Sequence, residues 1–346
     1  MAETMNLSEL SSQEADLYLR IVSVESRRAR NGTQLLSLKL ADASSGLPAT
    51  MFDDHPDYEA TKELAPGEVV KVRCSQGQFQ GNRQLEVSRI RPLDERDQDR
   101  WSEAAVFGNE FGAVRDLTVE RLVMDIETAP LNDVRGLPPT LVEEVTRVAK
   151  DREWPIEKVL ALNPLFSRVV SIAVGDATGS GGTVLLAPEH ADLDALASDS
   201  PDWLRPMSEE QMLGGFWAMA GAARLVITFN GRNFDLPFLR NRSAVLNVPV
   251  KTDLLSQPPY QHAPHLDLYQ ILAGGHGSWG ARPMSLDAAC FAFGIESPKG
   301  VMDGSMVGQA FKEKRYLEIA KYNLADVEAT RQLFLRLRDN VLEYLT

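Results

Sequence analysis

From residue 14 to about residue 92 the chain reads as short stretches of apolar and polar positions broken by turn formers. DLYLRIVSVESR, TQLLSLKLADAS and LPATMFDD come first. In the second, Leu36, Leu38 and Leu40 repeat with the two-residue period that sends alternate side chains to one face of a strand. Ser44, Ser45 and Gly46 mark the turn before the third. PDYEATKELA predicts a short helix, and GEVVKVRCSQGQFQGNRQLEVSRI predicts two last strands joined through Gly81 and Asn82. Five strands with one helix between the third and fourth is the order of a small Greek-key barrel.

At residues 93–118, PLDERDQDRWSEAAVFGNEFGAVRDL, charges crowd together and the apolar period fades, which predicts a domain junction. The expected division is a barrel over residues 1–95, a linker over 96–118 and a second domain over 119–346. In that second domain, strands and helices follow one another. TVERLVMDIET, SRVVSIAVGD, GGTVLLAP and ARLVITFN predict strands. SEEQMLGGFWAMAGAA has Met212, Phe216, Met219 and Ala220 at helical spacing, with Ser208 as its N-cap. FDLPFLRNRSAVL, SLDAACFAFG and KRYLEIAKYNLADVEATRQLFLRLRDN predict further helices. Strands and helices in this mixture define an α/β domain.

Composition narrows the function classes. A chain of 346 residues that is 44% hydrophobic and 25% charged can bury two ordinary cores. Its net charge of −13 argues against coating nucleic acid or membrane through bulk charge, though not against a local basic patch. Two cysteines, Cys74 and Cys290, exclude a disulfide framework and suit a reducing compartment. The start, MAETMNLSEL, has no secretory pattern, and no apolar run approaches the ~20 residues of a membrane span. A cytoplasmic protein without membrane contact is expected.

Carboxylates hold the candidate chemistry. D-x-E occurs at Asp57/Glu59, Asp125/Glu127, Asp151/Glu153 and Asp326/Glu328, so the spacing alone selects nothing. Only Asp125 ends an apolar run, Leu122-Val123-Met124, that reads as a buried strand. The two-residue period puts Asp125 and Glu127 on one face, where two carboxylates repel unless a cation sits between them; a solvated strand end is the alternative. In LVITFNGRNFDLPFL, Gly231 permits a tight turn, and Asp235 opens a helix, either as a cap or as a further acid. Phe229 and Phe234 bracket that turn, as core or as platforms for bases. In KYNLAD, Tyr322 and Asp326 stand at i and i+4 and share a helix face. His265 and Asp267 of HLDL read as packing residues, with an orienting role near the site as the alternative.

D-I-E-T, N-G-x-x-F-D and Y-x-x-x-D, in this order, resemble the DEDD superfamily of 3′→5′ exonucleases, and in particular the exonuclease domain of family-B DNA polymerases and its free-standing relatives. The likeness extends over roughly residues 119–340. It implies a ribonuclease H-like α/β fold and two divalent ions, Mg²⁺ or Mn²⁺, held by Asp125, Glu127, Asp235 and Asp326. Asp125 would bridge both ions, Glu127 and Asp326 would complete one and Asp235 the other. Tyr322 would orient the attacking water and would place the chain in the tyrosine (DEDDy) branch. The histidine branch carries His where Lys321 stands here. Thr128, Phe229, Asn230 and Phe234 are the expected contacts to the nucleotide. The implied activity is removal of nucleotides from single-stranded 3′ ends, DNA before RNA.

The strand phrases of the first domain resemble OB-folds of nucleic-acid-binding proteins. Arg27, Arg28 and Arg30 precede its Asn31-Gly32 turn, and Lys71, Arg73, Arg83, Arg89 and Arg91 lie on its last strands. Converging, they would form a basic groove for a single strand; the alternatives are a wet strand face or a protein partner. A further alternative for the whole chain is a module that binds nucleic acid or protein without catalysis.

Overall fold

The computed structural model describes residues 5–28, 32–131, 133–258, 261–273, 285–298 and 302–344. The chain divides into two compact units, Met1–Glu120 with Trp217–Arg224, and Arg121–Phe216 with Leu225–Thr346.

The first unit is built on β1 (Ala15–Arg28), β2 (Gln34–Ala41), β3 (Gly46–Phe52), α1 (Tyr58–Lys62), β4 (Val69–Phe79) and β5 (Asn82–Pro92). These strands close into a barrel in the order β1-β2-β3-β5-β4, the arrangement of an OB-fold. The closing contact between β3 and β5 is one parallel pair, Ala49 with Leu85. The alternating leucines explain its core: Leu36, Leu38 and Leu40 are all buried, and Leu17, Leu19, Ile21, Val70 and Val72 meet them inside. The β4–β5 hairpin turns at Gln80 and Gly81, both at positive φ, one position earlier than the sequence suggests. That backbone shape matches the twist of the flanking strands. Beyond β5, a short helix α2 (Glu103–Phe107) and one-turn helices bring Val106, Phe107 and Phe111 against Ala218 and Ala222.

The second unit holds β6 (Arg121–Pro130), α3 (Pro139–Arg152), α4 (Ile156–Ala161), β7 (Ser167–Asp176), β8 (Thr183–Leu186), α5 (Leu193–Asp199), β9 (Leu204–Pro206), most of α6 (Glu209–Ala222), β10 (Leu225–Thr228), α7 (Asp235–Val245), β11 (His265–Asp267), α8 (Leu268–Leu272), α9 (Leu286–Phe293), α10 (Val307–Lys312) and α11 (Tyr316–Asn340). Its sheet runs β11-β10-β6-β7-β8-β9, and β6 is antiparallel to β7 but parallel to β10. This is the mixed sheet of a ribonuclease H-like domain. Helices cover it, so β7 reads as an almost unbroken apolar run: Val169, Val170, Ile172, Ala173 and Val174 are all buried. Ser208 caps α6 as expected, and Gln211 returns the bond to the Ser208 amide at 3.0 Å. Along α11, Ile319, Ala320, Asn323, Val327, Thr330, Leu333, Phe334 and Leu337 are buried at helical spacing. That stripe lies against β6 and β7 and fixes which way the polar residues between them face.

Candidate metal and nuclease site

The middle of the sheet brings the second unit's acids together. Leu122, Val123 and Met124 anchor β6 in the core, and Asp125 and Glu127 follow on the same strand. The pairing with β7 slips between Glu127 and Thr128, with Val170 of β7 as the extra residue, and both side chains are buried. From α11, Asp326 joins them, and carboxylate oxygens of Asp125, Glu127 and Asp326 lie within 4.8 Å of one another. Asp235, the first residue of α7, stands outside this trio. It is buried, and its Oδ1 accepts from the Ile126 amide at 3.2 Å, between the two acids of β6.

Their electrostatics follow from this crowding. Burial first, and then the charges of Asp235, Asp326 and Glu127, push the Asp125 carboxyl well above its ordinary value. Burial with Asp326 and Asp235 does the same to Glu127. Burial raises Asp235 to about 7, although the backbone amides it accepts from oppose this. Half-buried Tyr322 stands one turn from Asp326, and burial followed by three carboxylate charges drives its phenol upward. Such a cluster of hard oxygen donors is costly alone and suits a divalent cation, which favours the charged form of every member.

The loop between β10 and α7 is held from β11. Asp267 accepts from the amides of Asn230 at 2.7 Å, Arg232 at 3.0 Å and Tyr269 at 3.0 Å. It therefore shapes the turn that delivers Asp235, beyond the packing role its sequence suggests. Asn230 sits at φ 64, in the left-handed region that Asn tolerates better than most residues. A Cβ on Gly231 would fall 2.3 Å from Thr228 Oγ1, which explains the glycine. His265 spans 2.9 Å to that same hydroxyl, and burial lowers its pKa to about 3.

Other expected contacts divide. Phe229 meets Tyr269 edge to face at 5.9 Å, and Phe234 packs on Phe238 at 5.6 Å; both phenylalanines stay half-buried. Thr128 donates its hydroxyl to the Ala161 carbonyl at 2.9 Å, which ties β6 to the end of α4. On the barrel, Lys71 and Arg73 share Asp16, Arg89 pairs with Asp57, and Arg91 pairs with Asp97. Lys71, Arg73, Arg89 and Arg91 converge on one cavity of about 330 Å³. Arg27 and Arg28 do not line it; the first pairs with Glu25 and the second donates to the Gly32 carbonyl. Arg30 lies outside the described residues. One residue near the acids escaped the motif reading, Asn323, whose Nδ2 donates to Asp125 Oδ2 at 2.7 Å. Its position beside Tyr322 was the available signal, but a helical Asn is ordinarily solvent-facing.

Comparison with known proteins defines the class. Residues 162–341 match the family described as a predicted 3′-5′ exonuclease related to the exonuclease domain of PolB, and the chain belongs to this family. The match contains Asp235, Tyr322 and Asp326 and begins after Asp125 and Glu127. The family is described by a predicted 3′-5′ exonuclease activity, which implies dependence on a divalent metal, and the trio of acids offers oxygen ligands for one.

Among individual proteins, the 3′-5′ exoribonuclease YhaM of Bacillus subtilis is 35% identical over 97 residues, 28% of this chain and 30% of that one. DNA polymerase 1 of Saccharolobus solfataricus is 22% identical over 173 residues, 48% of this chain and 19% of that one. The chain thus spans less than a third of the length of these relatives. The family B DNA polymerase of Pyrobaculum calidifontis superposes with a TM-score of 0.43 at 16% identity, over 93% of this chain and 46% of that one.

Proposed function

We propose that the protein hydrolyses phosphodiester bonds from the 3′ end of single-stranded nucleic acid, with DNA as the preferred substrate. The observation that carries this is the meeting of Asp125, Glu127 and Asp326 within 4.8 Å, inside a chain whose family is related to a polymerase exonuclease. We assign Asp125, Glu127, Asp235 and Asp326 as the residues that would hold two divalent ions, Mg²⁺ or Mn²⁺. Ions bound there would supply Lewis-acid stabilisation of the phosphate charge and acidify water. Tyr322 places the chain in the DEDDy branch on this reading. Its raised pKa keeps the phenol protonated at neutral pH, so it orients a water through its hydroxyl and takes no proton. Half-buried Phe229 and Phe234 flank the turn before Asp235 and are proposed to meet the terminal base, with Asn230 and the backbone at Thr128 beside them.

The barrel, taken as the domain over residues 1–95, is proposed to hold the strand. Lys71, Arg73 and Arg89 would contact phosphates, and exposed Phe79 at the β4–β5 turn would stack on a base. Arg27 and Arg28, at the other end of β1, are proposed as separate contacts to the strand. A protein partner for this unit is the competing occupant. No helix among the described residues is long and apolar enough to cross a membrane. A cytoplasmic setting is proposed on the strength of two buried free cysteines.

A second reading takes RNA as the substrate, and the name of the Bacillus relative favours it. That likeness spans 97 residues, fewer than the family match over 162–341. Matched DNA, RNA and chimeric oligonucleotides digested side by side with Mn²⁺ decide between the two. Faster release from DNA supports the first reading, faster release from RNA the second, and release from neither removes both.

A further inference from the structure

Asn323 is fully buried on α11, one residue from Tyr322 and three from Asp326. Its Nδ2 donates to Asp125 Oδ2 at 2.7 Å, and its Oδ1 accepts from Ser171 Oγ at 2.8 Å. Ser171 is itself fully buried on β7, directly opposite Glu127 in the strand register. Serine, amide and carboxylate thus form a chain of two bonds that crosses from β7 through α11 to β6. The direction of the amide is set chemically. With a cation bound, Asp125 is an ionised carboxylate that only accepts, so the nitrogen side faces it and the serine hydroxyl turns its proton to the remaining oxygen.

We propose that Asn323 is a positioning residue for cation binding: it fixes one oxygen of Asp125, while Ser171 holds the amide in place. The inference rests on reading Asp125, Glu127 and Asp326 as a cation site. Two features favour positioning over simple packing. The donor is aimed at the acid that Glu127, Asp235 and Asp326 crowd with negative charge. It is also neutral. A lysine there would supply the positive charge itself and compete with the cation, and an acid would add a fifth carboxylate. A buried amide can orient the ligand without changing the charge of the site, as outer partners of metal ligands commonly do.

Mn²⁺ binding measured by calorimetry on the full chain, without nucleic acid, tests this. The variants are Asn323→Leu, which keeps the branched outline and removes the donor, and Ser171→Ala, a smaller change that releases the amide. Thermal melts in EDTA run alongside. Wild-type protein is expected to bind Mn²⁺, Asn323→Leu about 100-fold and Ser171→Ala about 10-fold more weakly, the scale typical of outer partners. A purely structural role would lower the melting temperature in EDTA and leave the Mn²⁺ affinity of the folded protein unchanged. Wild-type affinity in a folded variant of either kind overturns the positioning role alone. Absence of Mn²⁺ binding by the wild type overturns the cation site and the inference together. If Asn323→Leu does not fold, Ser171→Ala decides.

Discussion

Tyr322 and Asp235 show how the same crowding gives two residues different work. Tyr322 is proposed to act through a hydroxyl that stays protonated, so Tyr322→Phe should lower turnover by about 100-fold, the scale of a misplaced reactant, and leave Mn²⁺ affinity intact. Single-turnover digestion beside calorimetry separates the two quantities. Asp235 is held protonated by burial up to about pH 7, against an ordinary aspartate value near 4. In the metal-free protein the folded state therefore keeps a proton that the unfolded chain releases between these values. Stability from this group is full at low pH and is lost as pH rises through the folded pKa. Asp235→Asn should flatten the fall in melting temperature between pH 5 and pH 8 in EDTA. An unchanged slope would remove Asp235 as its source.

At the level of elements, the site depends on one bulge, one turn and one helix stripe. Gly231→Ala puts a methyl against Thr228, which the end of β10 holds rigidly, and should cost about 1–3 kcal/mol by denaturant unfolding. The loss should extend to activity, because the same turn delivers Asp235. The periodic elements were legible in the sequence. β7 spans the residues of SRVVSIAVGD, and the leucine alternation in β2 points into the barrel as its period requires. Tyr322 and Asp326 share a face of α11 because an i, i+4 pair on a packed helix must. Helices α3 and α4 were not legible, since they form a small satellite core around Val145, Ala149 and Leu160 with few apolar positions each. The bulge after Glu127 and the three amides gathered by Asp267 were also hidden. Both depend on partners distant in sequence, β7 in the first case and the β10–α7 turn in the second. Asn323 was missed for the same reason, because its role exists only where α11 crosses β6.

Across the whole molecule, the acidic total conceals an uneven distribution. The net charge is −13, yet four cations gather around one cavity of the barrel. Lys71 stands opposite Arg91 and Arg73 opposite Arg89 across the β4–β5 ladder, pairs that repel without the intervening aspartates or an added anion. The triple substitution Lys71→Ser, Arg73→Ser and Arg89→Ser should weaken binding to long single strands. It should lower the slope of log affinity against log salt by about 0.7 for each phosphate that is no longer neutralised. An unchanged slope would assign this face to a protein partner. Substitution is a better probe than deletion here. Removing the chain before Arg115 would also strip Val106, Phe107 and Phe111 from Ala218 and Ala222. The most direct test of the account is digestion of a single-stranded oligonucleotide labelled at its 5′ or 3′ end. Wild-type protein and Asp125→Ala would be compared with Mn²⁺, with Mg²⁺ and in EDTA. Wild-type protein with metal should give mononucleotides from the 3′ label and a descending ladder from the 5′ label. Asp125→Ala should lose more than about 100-fold, since outer partners of a metal ligand alone cost 10–100-fold. Its far-UV circular dichroism should match the wild type. No release with either metal on DNA or RNA, shortening from the 5′ end, or full activity in Asp125→Ala would contradict it.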